Sequence, residues 1–599
     1  MSFPDLRAFL AQLEREGAVV TIDAPVDPHL EVAEIHRRVI AAGGPALLFT
    51  NVKGADYRLV TNLFGTPRRA ELAFGDRPLR LIKRVVELVE TLLPPTPAKL
   101  WGARDVGLEL LKVGMKRASA GPVTERVTSD VRLDRLPAIT SWPEDGGPFI
   151  TLPLVYTTHP TKHGHNLGMY RMHVHDHRST GMHWQIGKGG GYHYAVAEAL
   201  GQALPATVML GGPPALILSA IAPLPENVPE LMLASLIAGE RLRQVGGVGP
   251  HPLVADAEFA LMGEVQPGVR KPEGPFGDHY GYYSLRHDYP VFTVKQIAHR
   301  ADAIFPATVV GKPRQEDFFI GDLLQDLLSP LFPVVMPAVE TLWSYGETGY
   351  HSLATAVVKQ RYAREAMASA FRILGEGQLS LTKFLLVTDR AVDVRNFKAT
   401  LEHVLARTRV ETDLYVFSNL SMDTLDYTGP AVNQGSKGVW MGLGDPVRDL
   451  PRQFASTDVP AGVRDVRVYC GGCLVVEAPG FADEPGAATR LAPAKAFQAW
   501  PLVVLTDDAA RATKSDTNFL WTTFTRFEPA ADVCSAETRI VRNHISYRGP
   551  IVIDARMKPW YPKELSCGEE TGRLVTNRWT EYFPGRKVEM GDSERGHLD

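Results

Sequence analysis

The stretch Glu273-Gly-Pro-Phe-Gly-Asp278-His-Tyr-Gly-Tyr-Tyr283 constrains the fold of this 599-residue chain more than any other part of its sequence. It places two acids five residues apart, with Gly274, Pro275 and Gly277 between them. Glycine and proline at this density favour a tight, rigid turn over a helix or a regular strand. Such a turn can hold both carboxylates against one cavity.

Buried carboxylates need a cationic partner, and a second stretch, Asn166-Leu-Gly-Met-Tyr-Arg171, supplies a candidate. A guanidinium donates to two carboxylate oxygens through its planar fork and keeps its charge when buried. We therefore predict that Arg171, Glu273 and Asp278 form one buried catalytic site. The alternative is an ion-pair network that only braces the turn.

The two motifs together resemble the UbiD family of reversible aromatic and acrylic acid decarboxylases, in order and in spacing. The resemblance runs from the N-terminal helix to about Lys437, in Gly-Ser-Lys437. It implies an α/β (α+β multidomain) fold class, with an N-terminal α/β segment and a central flavin-reductase-like split β-barrel. A C-terminal α/β domain that supports oligomerisation would follow, with an extended tail.

The resemblance also assigns chemical roles. Removal of CO2 from an aromatic ring needs an electron sink that no side chain provides, so a cofactor is expected. The family implies prenylated FMN. Asp278 is predicted to be the proton donor, kept neutral by burial. Glu273 matches the first acid of the family triad, and Arg171 would orient it.

The resemblance predicts that the flavin is held by several short stretches. These residues are Met169, Tyr170, Arg171, His183, Trp184, Gln185, Lys188, Gly189 and Lys437. Glycine allows backbone amides to approach a phosphate closely. Without the family, a Gly-rich segment would predict only a loop.

The family further implies a divalent metal, Mn2+ or Mg2+, bound by Asn166 and Glu230, with K+ as a possible companion; hard oxygen ligands suit such ions. The third ligand of many relatives, a His, falls near Gly187 here. His183, His193 or a water could replace it. The alternative for Glu230 is a solvated residue at a helix start.

Two other motifs carry weaker signals. On a strand, His173, His175 and His177 would share one face, as metal ligands would need to. The spacing alone is weak evidence, and a row of histidines on a half-exposed strand is more often solvated or hydrogen-bonded than metal-binding. Cys470-Gly-Gly-Cys473 lacks the second cysteine pair of a zinc site. We interpret it as a turn at a strand end with two small buried residues.

Composition excludes several classes of protein. A net charge of -4 without a long basic tract argues against nucleic-acid binding. No segment has the length and apolarity expected of a membrane span, and the N-terminus lacks the apolar core of a signal peptide. Four cysteines give no disulfide framework, which fits a cytoplasmic protein.

The chain is long enough for several cores. We predict an N-terminal α/β domain over 1–120, a split-barrel catalytic domain over 121–315, an α/β oligomerisation domain over 316–480 and an extension of unassigned fold over 481–599. Local patterns predict a helix over Asn396–Arg407 and strands at 46–50, 152–156, 207–210, 291–294, 384–387 and 414–417. We interpret the segment from 384 to 417 as one βαβ unit. No internal repeat is detectable in the sequence.

The leading functional hypothesis is non-oxidative, reversible decarboxylation of an aromatic (hydroxy)carboxylic acid, in ubiquinone or menaquinone biosynthesis. A flavin prenyltransferase would supply the cofactor, and the resemblance implies a homodimer or homohexamer. One alternative is a catabolic (de)carboxylase of phenolic or heteroaromatic acids. Another is a flavin-binding or reductase protein without decarboxylase activity, although no dinucleotide-binding glycine fingerprint is present.

Overall fold

The computed structural model describes residues 3–92, 94–184, 189–224, 228–592 and 598. These residues cluster into two compact units. The first comprises Met1–Leu327 and Glu564–Arg595, and the second Leu328–Lys563 with Gly596–Asp599. The four-domain division stays a prediction.

The first unit contains these helices: α1 (Leu6–Arg15), α2 (Glu31–Ala41), α3 (Pro67–Phe74), α4 (Arg77–Thr91), α5 (Pro97–Gly102), α6 (Arg104–Leu110), α7 (Gly189–Ala199), α8 (Ala215–Ile221), α9 (Glu230–Ala238), α10 (Glu316–Leu328, extending one residue beyond the unit) and α19 (Glu569–Tyr582). Its strands are β1 (Val19–Ile22), β2 (Ala46–Phe49), β3 (Arg58–Thr61), β4 (Met115–Ala118), β5 (Arg126–Thr128), β6 (Phe149–Ile150), β7 (Leu154–Thr158), β8 (His165–Met169), β9 (Met172–Asp176), β10 (Ser179–Gly181), β11 (Leu204–Leu210), β12 (Leu242–Val245), β13 (Leu253–Val254), β14 (Phe259–Glu273), β15 (His287–His299) and β16 (Ile304–Pro306).

An N-terminal layer is built on a four-stranded sheet in the order β1-β2-β3-β16. The first helix begins where the Asp5 side chain accepts from the backbone N–H of Ala8, a standard N-cap. Its apolar residues at helical spacing are buried, as the sequence pattern predicts: Leu6, Phe9, Leu10 and Leu13.

The centre of the first unit is a nine-stranded sheet that curls into a half-barrel. Its order is β6-β9-β10-β15-β14-β11-β7-β8, and β5 pairs with β15. The long hairpin of β14 and β15 contains register shifts, which bend and twist strands locally. The predicted barrel-like core is confirmed, and the half-barrel brings the ends of β8, β9 and β14 together.

The second unit contains these helices: α11 (Phe332–Val335), α12 (Glu365–Leu374), α13 (Phe397–Arg407), α14 (Val410–Asp413), α15 (Ala487–Leu491), α16 (Ala509–Ala512), α17 (Asp516–Phe524) and α18 (Pro529–Asp532). Its strands are β17 (Val339–Ser344), β18 (Leu353–Val358), β19 (Phe384–Thr388), β20 (Leu414–Leu420), β21 (Gly435–Gly442), β22 (Asp465–Cys470), β23 (Cys473–Glu477), β24 (Leu502–Thr506), β25 (Val533–Val541) and β26 (His544–Asp554).

The second unit is an internal duplication that sequence reasoning missed. Its two five-stranded sheets have the orders β17-β18-β19-β21-β20 and β22-β23-β24-β26-β25. In each sheet the second, third and fourth strands of that order are parallel, and both edge strands are antiparallel to their neighbours. We call residues 339–442 the first repeat and residues 465–554 the second repeat.

Local details of the two repeats also match. The Asp413 side chain accepts from the N–H of Arg409 at 2.8 Å, and Asp532 accepts from the N–H of Glu528 at 2.7 Å. Asn396 caps α13, and Ser515 caps α17. One hydrophobic cluster contains residues of both repeats, so the repeats share a core.

Two sequence interpretations of this unit need correction. The segment from 384 to 417 is not a parallel βαβ unit, because β20 is an edge strand that runs antiparallel to β21. The last 119 residues have regular structure. They contain β24, β25 and β26 of the second repeat, and α19, which belongs to the first unit.

The Cys470–Cys473 segment is the turn of the β22–β23 hairpin. Both cysteines are buried, and Gly472 has a φ of 81°. A left-handed backbone at that position suits glycine. The prediction of a strand-end turn with small buried residues is confirmed.

In the part of the chain that the structure describes, one helical stretch, Glu316–Val335, is long and apolar enough to cross a membrane by length and composition, with mean hydropathy 1.4. It is weak evidence for a span, because Asp322, Asp326, Pro330 and Pro333 interrupt its apolar sequence.

Candidate active site

Arg171 connects β8 to β9, and its guanidinium binds both acids of the Gly-Pro turn. Nε donates to Glu273 Oε1 at 2.9 Å and Nη2 to Glu273 Oε2 at 3.3 Å, while Nη1 donates to Asp278 Oδ2. Nη2 also donates to Ser284 Oγ at 3.1 Å, and the guanidinium lies 4.5 Å from the ring centre of Phe276. The three residues predicted to be catalytic therefore meet in one buried cluster.

The turn that carries the acids is tightly held. Glu273 ends β14, Gly274 has a φ of 87°, and Gly277 bridges to Tyr283. A Cβ on Gly277 would lie 2.0 Å from Cδ1 of Trp142. Glycine is therefore needed at 277 because the chain passes directly over an indole.

The charges in this cluster are set by competition between burial and Arg171. Burial alone would raise the pKa of Glu273, but the charge of Arg171 and hydrogen bonds from His183 and Arg171 hold it well below its usual range. Burial would also raise the pKa of Asp278, but the charge of Arg171 and the hydrogen bond and charge of His279 hold it well below its usual range. Burial alone would favour the neutral acid that is expected at Asp278 from the sequence, whereas these contacts favour the carboxylate; the proton-donor role of Asp278 stays a prediction.

Asp278 also contacts the next residue. The backbone N–H of His279 donates to Asp278 Oδ1 at 2.8 Å, and Nδ1 of the same ring lies 2.7 Å from that oxygen. The side chain of His279 is 25% exposed, whereas that of Asp278 is 9% exposed. This imidazole therefore lies between the buried acid and solvent.

His183 supports the other acid. Its Nδ1 lies 3.2 Å from Glu273 Oε2, and its ring packs against Tyr289 at a tilt of 31°, with the ring centres 4.4 Å apart. Burial and the charge of Arg171 lower the pKa of His183, which favours the neutral ring. A neutral ring that donates from Nδ1 leaves Nε2 as an acceptor, and this atom is buried without a hydrogen-bond partner among the described residues.

Several predicted flavin contacts lie close to Arg171. A Cβ on Gly190 would approach Trp184 Nε1 within 2.6 Å and the Tyr170 ring within 3.1 Å. The Gly190 N–H donates to the Tyr170 hydroxyl at 3.3 Å. Trp184 Nε1 is buried and lacks a partner among the described residues. Aromatic rings, an orphan donor and the glycine-rich start of α7, at Gly189, suit a planar phosphorylated cofactor.

The other predicted flavin contacts are less informative. Met169 ends β8 and packs, partly buried, against the core. Gln185 and Lys188 lie outside the described residues, as does Gly187. Lys437 belongs to the second unit, in β21, where its buried ammonium donates to the carbonyl of Thr382 at 2.8 Å. Burial lowers the pKa of Lys437 to about 8.

The predicted metal ligands Asn166 and Glu230 lie near each other, because Glu230 is hydrogen-bonded to the backbone of the residue that follows Asn166. Glu230 Oε2 accepts from the N–H of Leu167, the residue after Asn166, at 3.0 Å. Burial raises the pKa of Glu230. It begins α9 and is half-buried rather than solvated.

Each possible third ligand already uses one ring nitrogen in a contact within the protein. His193 Nδ1 lies 2.9 Å from Thr157 Oγ1, and His183 binds Glu273. Among the described residues, no group of three His, Cys, Asp or Glu side chains is arranged for a metal. Asn166 contributes an amide oxygen to any such site, so the metal pair stays a prediction.

The row His173, His175 and His177, interpreted as a solvated or hydrogen-bonded face, differs in burial from one residue to the next. His173 is buried and stacks on Phe149 at 4.6 Å, and His175 lies 4.8 Å from His173. His177 is exposed in the turn after β9. The first two share the face of β9 that continues from Arg171, so the row lies beside the catalytic cluster.

Sequence reasoning missed three polar contacts of the cluster. Ser284 accepts from Arg171 and from the N–H of Phe276. Tyr289 lies across the β14–β15 hairpin on His183. Asp317, in α10, has a pKa raised to about 6 by burial, and Asp278 and His279 lie near enough to influence it. Ser284 directly follows the second motif, so its part in the site could have been predicted from the sequence. The position of Asp317 near Asp278 could be recognised only from the folded structure.

Comparison with known proteins decides the family. Three models of the 3-octaprenyl-4-hydroxybenzoate carboxy-lyase, or UbiD, family match the chain: the N-terminal domain over residues 10–89, the Rift-related domain over 115–313 and the C-terminal domain over 318–442. The chain belongs to the UbiD family. It is a carboxy-lyase of the UbiD type, and the resemblance carried by the two motifs is confirmed.

Full-length relatives occur in Chlamydia. A protein of Chlamydia pneumoniae named as a 4-hydroxybenzoate decarboxylase subunit is 49% identical over 589 residues, which cover 98% of this UbiD chain and 100% of that protein. An uncharacterized protein of Chlamydia trachomatis is 49% identical over 591 residues, covering 97% and 100%.

Solved structures of the family resemble a shorter part of the chain. Vanillic acid decarboxylase of Sedimentibacter hydroxybenzoicus is 25% identical with a TM-score of 0.66, covering 77% of this chain and 97% of that one. The UbiD-class enzyme HmfF of Pelotomaculum thermopropionicum, solved with FMN, shares the fold at 23% identity, with a TM-score of 0.61 and coverage of 76% and 97%. The family models end at residue 442, before the second repeat begins.

Proposed function

We propose that this protein uses prenylated FMN to decarboxylate an aromatic hydroxycarboxylic acid reversibly and without net oxidation. The observation that carries the proposal is the buried guanidinium of Arg171 bridging the carboxylates of Glu273 and Asp278. Family relatives named as hydroxybenzoate and vanillic acid decarboxylases support the substrate class. Neighbours solved with FMN and with prenylated FMN support the cofactor.

The cofactor supplies the electron sink when it is bound. Tyr170, Trp184 and the glycine-rich start of α7 would hold it, because they combine aromatic faces, an orphan donor and close backbone approach. Arg171, Met169, His183, Gln185 and Lys188 complete the proposed contact set.

The protein's own contribution is proton control. When CO2 leaves the ring carbon, the electron pair left there must receive one proton, which Asp278 is positioned to deliver. In spite of burial, Arg171 and His279 hold the pKa of Asp278 well below its usual range, which favours the carboxylate. A proton must therefore reach Asp278 before it can donate one, and His279 is hydrogen-bonded to it on the solvent side. Glu273 stays ionised and fixes the orientation of Arg171.

Asn166 and Glu230 are proposed to bind Mn2+ or Mg2+, with K+ as a possible companion. Glu230 fits because desolvation raises the pKa of its half-buried carboxylate, and a bound cation would offset that cost. His183 is the candidate nitrogen ligand, because metal-binding histidines commonly donate their other ring N–H to a carboxylate, as His183 does to Glu273.

The substrate is proposed to be a hydroxybenzoate or hydroxynaphthoate of quinone biosynthesis, with a flavin prenyltransferase as cofactor supplier. A cytoplasmic homodimer or homohexamer remains the expected form. A catabolic decarboxylase of phenolic acids is the second candidate, favoured by the likeness to vanillic acid decarboxylase.

The test is co-expression with a flavin prenyltransferase, followed by mass measurement of the released flavin and CO2 release from 4-hydroxybenzoate, its prenylated derivative, dihydroxynaphthoate and vanillate. Prenylated FMN together with CO2 release supports the proposal. The substrate acid that releases CO2 then distinguishes quinone biosynthesis from the catabolism of phenolic acids. Plain FMN, or no flavin, in a folded protein would instead favour a flavin-binding or reductase protein without decarboxylase activity.

A further inference from the structure

The helical segment between residues 76 and 117 exposes an unusual amount of apolar surface. We call it the α4–α6 segment; it contains α4, α5, α6 and the first residues of β4. Six of the 24 exposed large apolar side chains of the described residues lie in it: Val85, Val89, Trp101, Leu108, Leu110 and Leu111. Isolated exposed apolar residues are ordinary, but a cluster of this size marks an interaction surface.

The exposed residues follow helical spacing. Trp101, Arg104, Leu108 and Leu111 are separated by three, four and three positions, a spacing that favours one common face across α5 and α6. The Trp101 side chain is 70% exposed and Leu111 is 67% exposed. Arg104 lies over the Trp101 ring at 5.1 Å. On α4, Val85 and Val89 are four residues apart and also exposed.

The charge of the segment is opposite to that of the whole chain. It contains nine Lys and Arg against five Asp and Glu, a surplus of four, whereas the chain has a net charge of -4. Most of its acids are already neutralised locally, as Glu109 is by Arg77 and Lys112. Within the described part of the chain, these four exposed basic side chains pair with no carboxylate: Lys83, Arg104, Lys116 and Arg117.

We infer that the α4–α6 segment docks the protein on an anionic lipid surface. Leucine and tryptophan side chains insert at the boundary between headgroups and acyl chains, and unpaired basic side chains attract anionic headgroups. A tryptophan stacked with an arginine suits the headgroup level, where amphipathic rings are enriched. A second protein copy would not require the four unpaired cations, which would repel their equivalents across a symmetric interface.

The experiment is flotation of the full-length protein with phosphatidylcholine vesicles, with and without phosphatidylglycerol, at low and high salt. Binding is expected only to the anionic vesicles and should fall at high salt. Leu108→Ser with Leu111→Ser should weaken binding by at least about tenfold, and Lys116→Gln with Arg117→Gln by a similar factor.

The matched control is Ile540→Ser with Val541→Ser, which changes two apolar residues that are 78% and 53% exposed elsewhere. This control should bind vesicles like the unchanged protein. Absence of binding to anionic vesicles, or binding unchanged by the paired leucine substitutions, would overturn the inference. If the unchanged protein does not bind vesicles, and the paired leucine variant has a lower molar mass by light scattering than the unchanged protein, the surface is an interface with a second copy instead.

Discussion

At the scale of single residues, the carboxylate of Asp278 is held on both oxygens. Arg171 donates to Oδ2, and both N–H groups of His279 that face it approach Oδ1. This explains why the ionised form is stabilised in spite of burial. An acid held in this way releases a proton readily and needs a neighbour to restore it.

Asp278→Asn should lower the decarboxylation rate by at least about a hundredfold, because an amide cannot deliver the proton. Flavin content should stay unchanged, since Asp278 is outside the proposed phosphate contacts. Turnover and bound flavin would be measured on the same preparation, with Asp302→Asn, at a 67% exposed side chain, as control. Normal turnover in Asp278→Asn would reject the proton-donor role.

Glu273→Gln should abolish turnover for a different reason. The neutral amide removes one of two charges that fix Arg171, and the loss of a buried partner costs about 3–5 kcal/mol. Thermal unfolding should therefore shift to lower temperature in Glu273→Gln as activity is lost. A variant as stable as the parent would contradict this assignment.

His279→Gln should lower kcat by about tenfold to a hundredfold and leave KM unchanged, because glutamine can hydrogen-bond to Asp278 but cannot carry a proton. Added imidazole should partly restore the rate of a His279→Gly variant. If KM rises while kcat is unchanged, His279 positions the substrate rather than supplying protons.

Part of this site was predictable from the sequence. Glu273 and Asp278 flank one short Gly-Pro turn, which is a local feature. Arg171 lies 102 residues before Glu273 and was identified because buried carboxylates need a cation and because the two motifs resemble the UbiD family in order and spacing. The ionisation state of Asp278 was not predictable, because it depends on how closely Arg171 and His279 approach the acid. The engagement of His183 with Glu273 likewise depends on the register of β14 and β15.

At the scale of elements, the turn after β14 is shaped by Trp142. Gly277→Ala should disrupt it, because the added methyl would lie 2.0 Å from the indole and the nearest atoms belong to a buried ring. We expect a loss of about 2 kcal/mol or more in the free energy of unfolding and a loss of activity. Gly246→Ala, where a Cβ meets nothing within 4 Å, is the control for chemical denaturation.

At the scale of the whole molecule, the second unit should unfold as one body. Phe384 of the first repeat lies 5.5 Å from Phe527 of the second, within a shared hydrophobic cluster. Hydrogen exchange followed by mass spectrometry should show β19 and β24 losing protection at the same denaturant concentration. Separate losses would mean that the repeats are independent in stability.

The sequence predicted the half-barrel and the order of the main segments, largely through the family resemblance. It did not predict the duplication, because topology is a property of backbone pairing. The repeats keep short common features, such as Thr388-Asp389 and Thr506-Asp507 after equivalent strands, that do not stand out in 599 residues. The antiparallel direction of β20 could not be predicted either, because the sequence of one strand does not determine whether it pairs parallel or antiparallel with its neighbour.

The chain leaves the first unit at Leu327 and returns to it at Glu564. Glu31, a buried acid of α2, has Arg578 and the hydroxyl of Tyr582 on α19 as its partners. The two sides of this contact are 547 residues apart in the sequence, and the whole second unit except its last residues is synthesised between them. During translation α2 therefore carries a buried acid without its two partners until α19 has been made, so the first unit can be completed only after the ribosome has passed through the second.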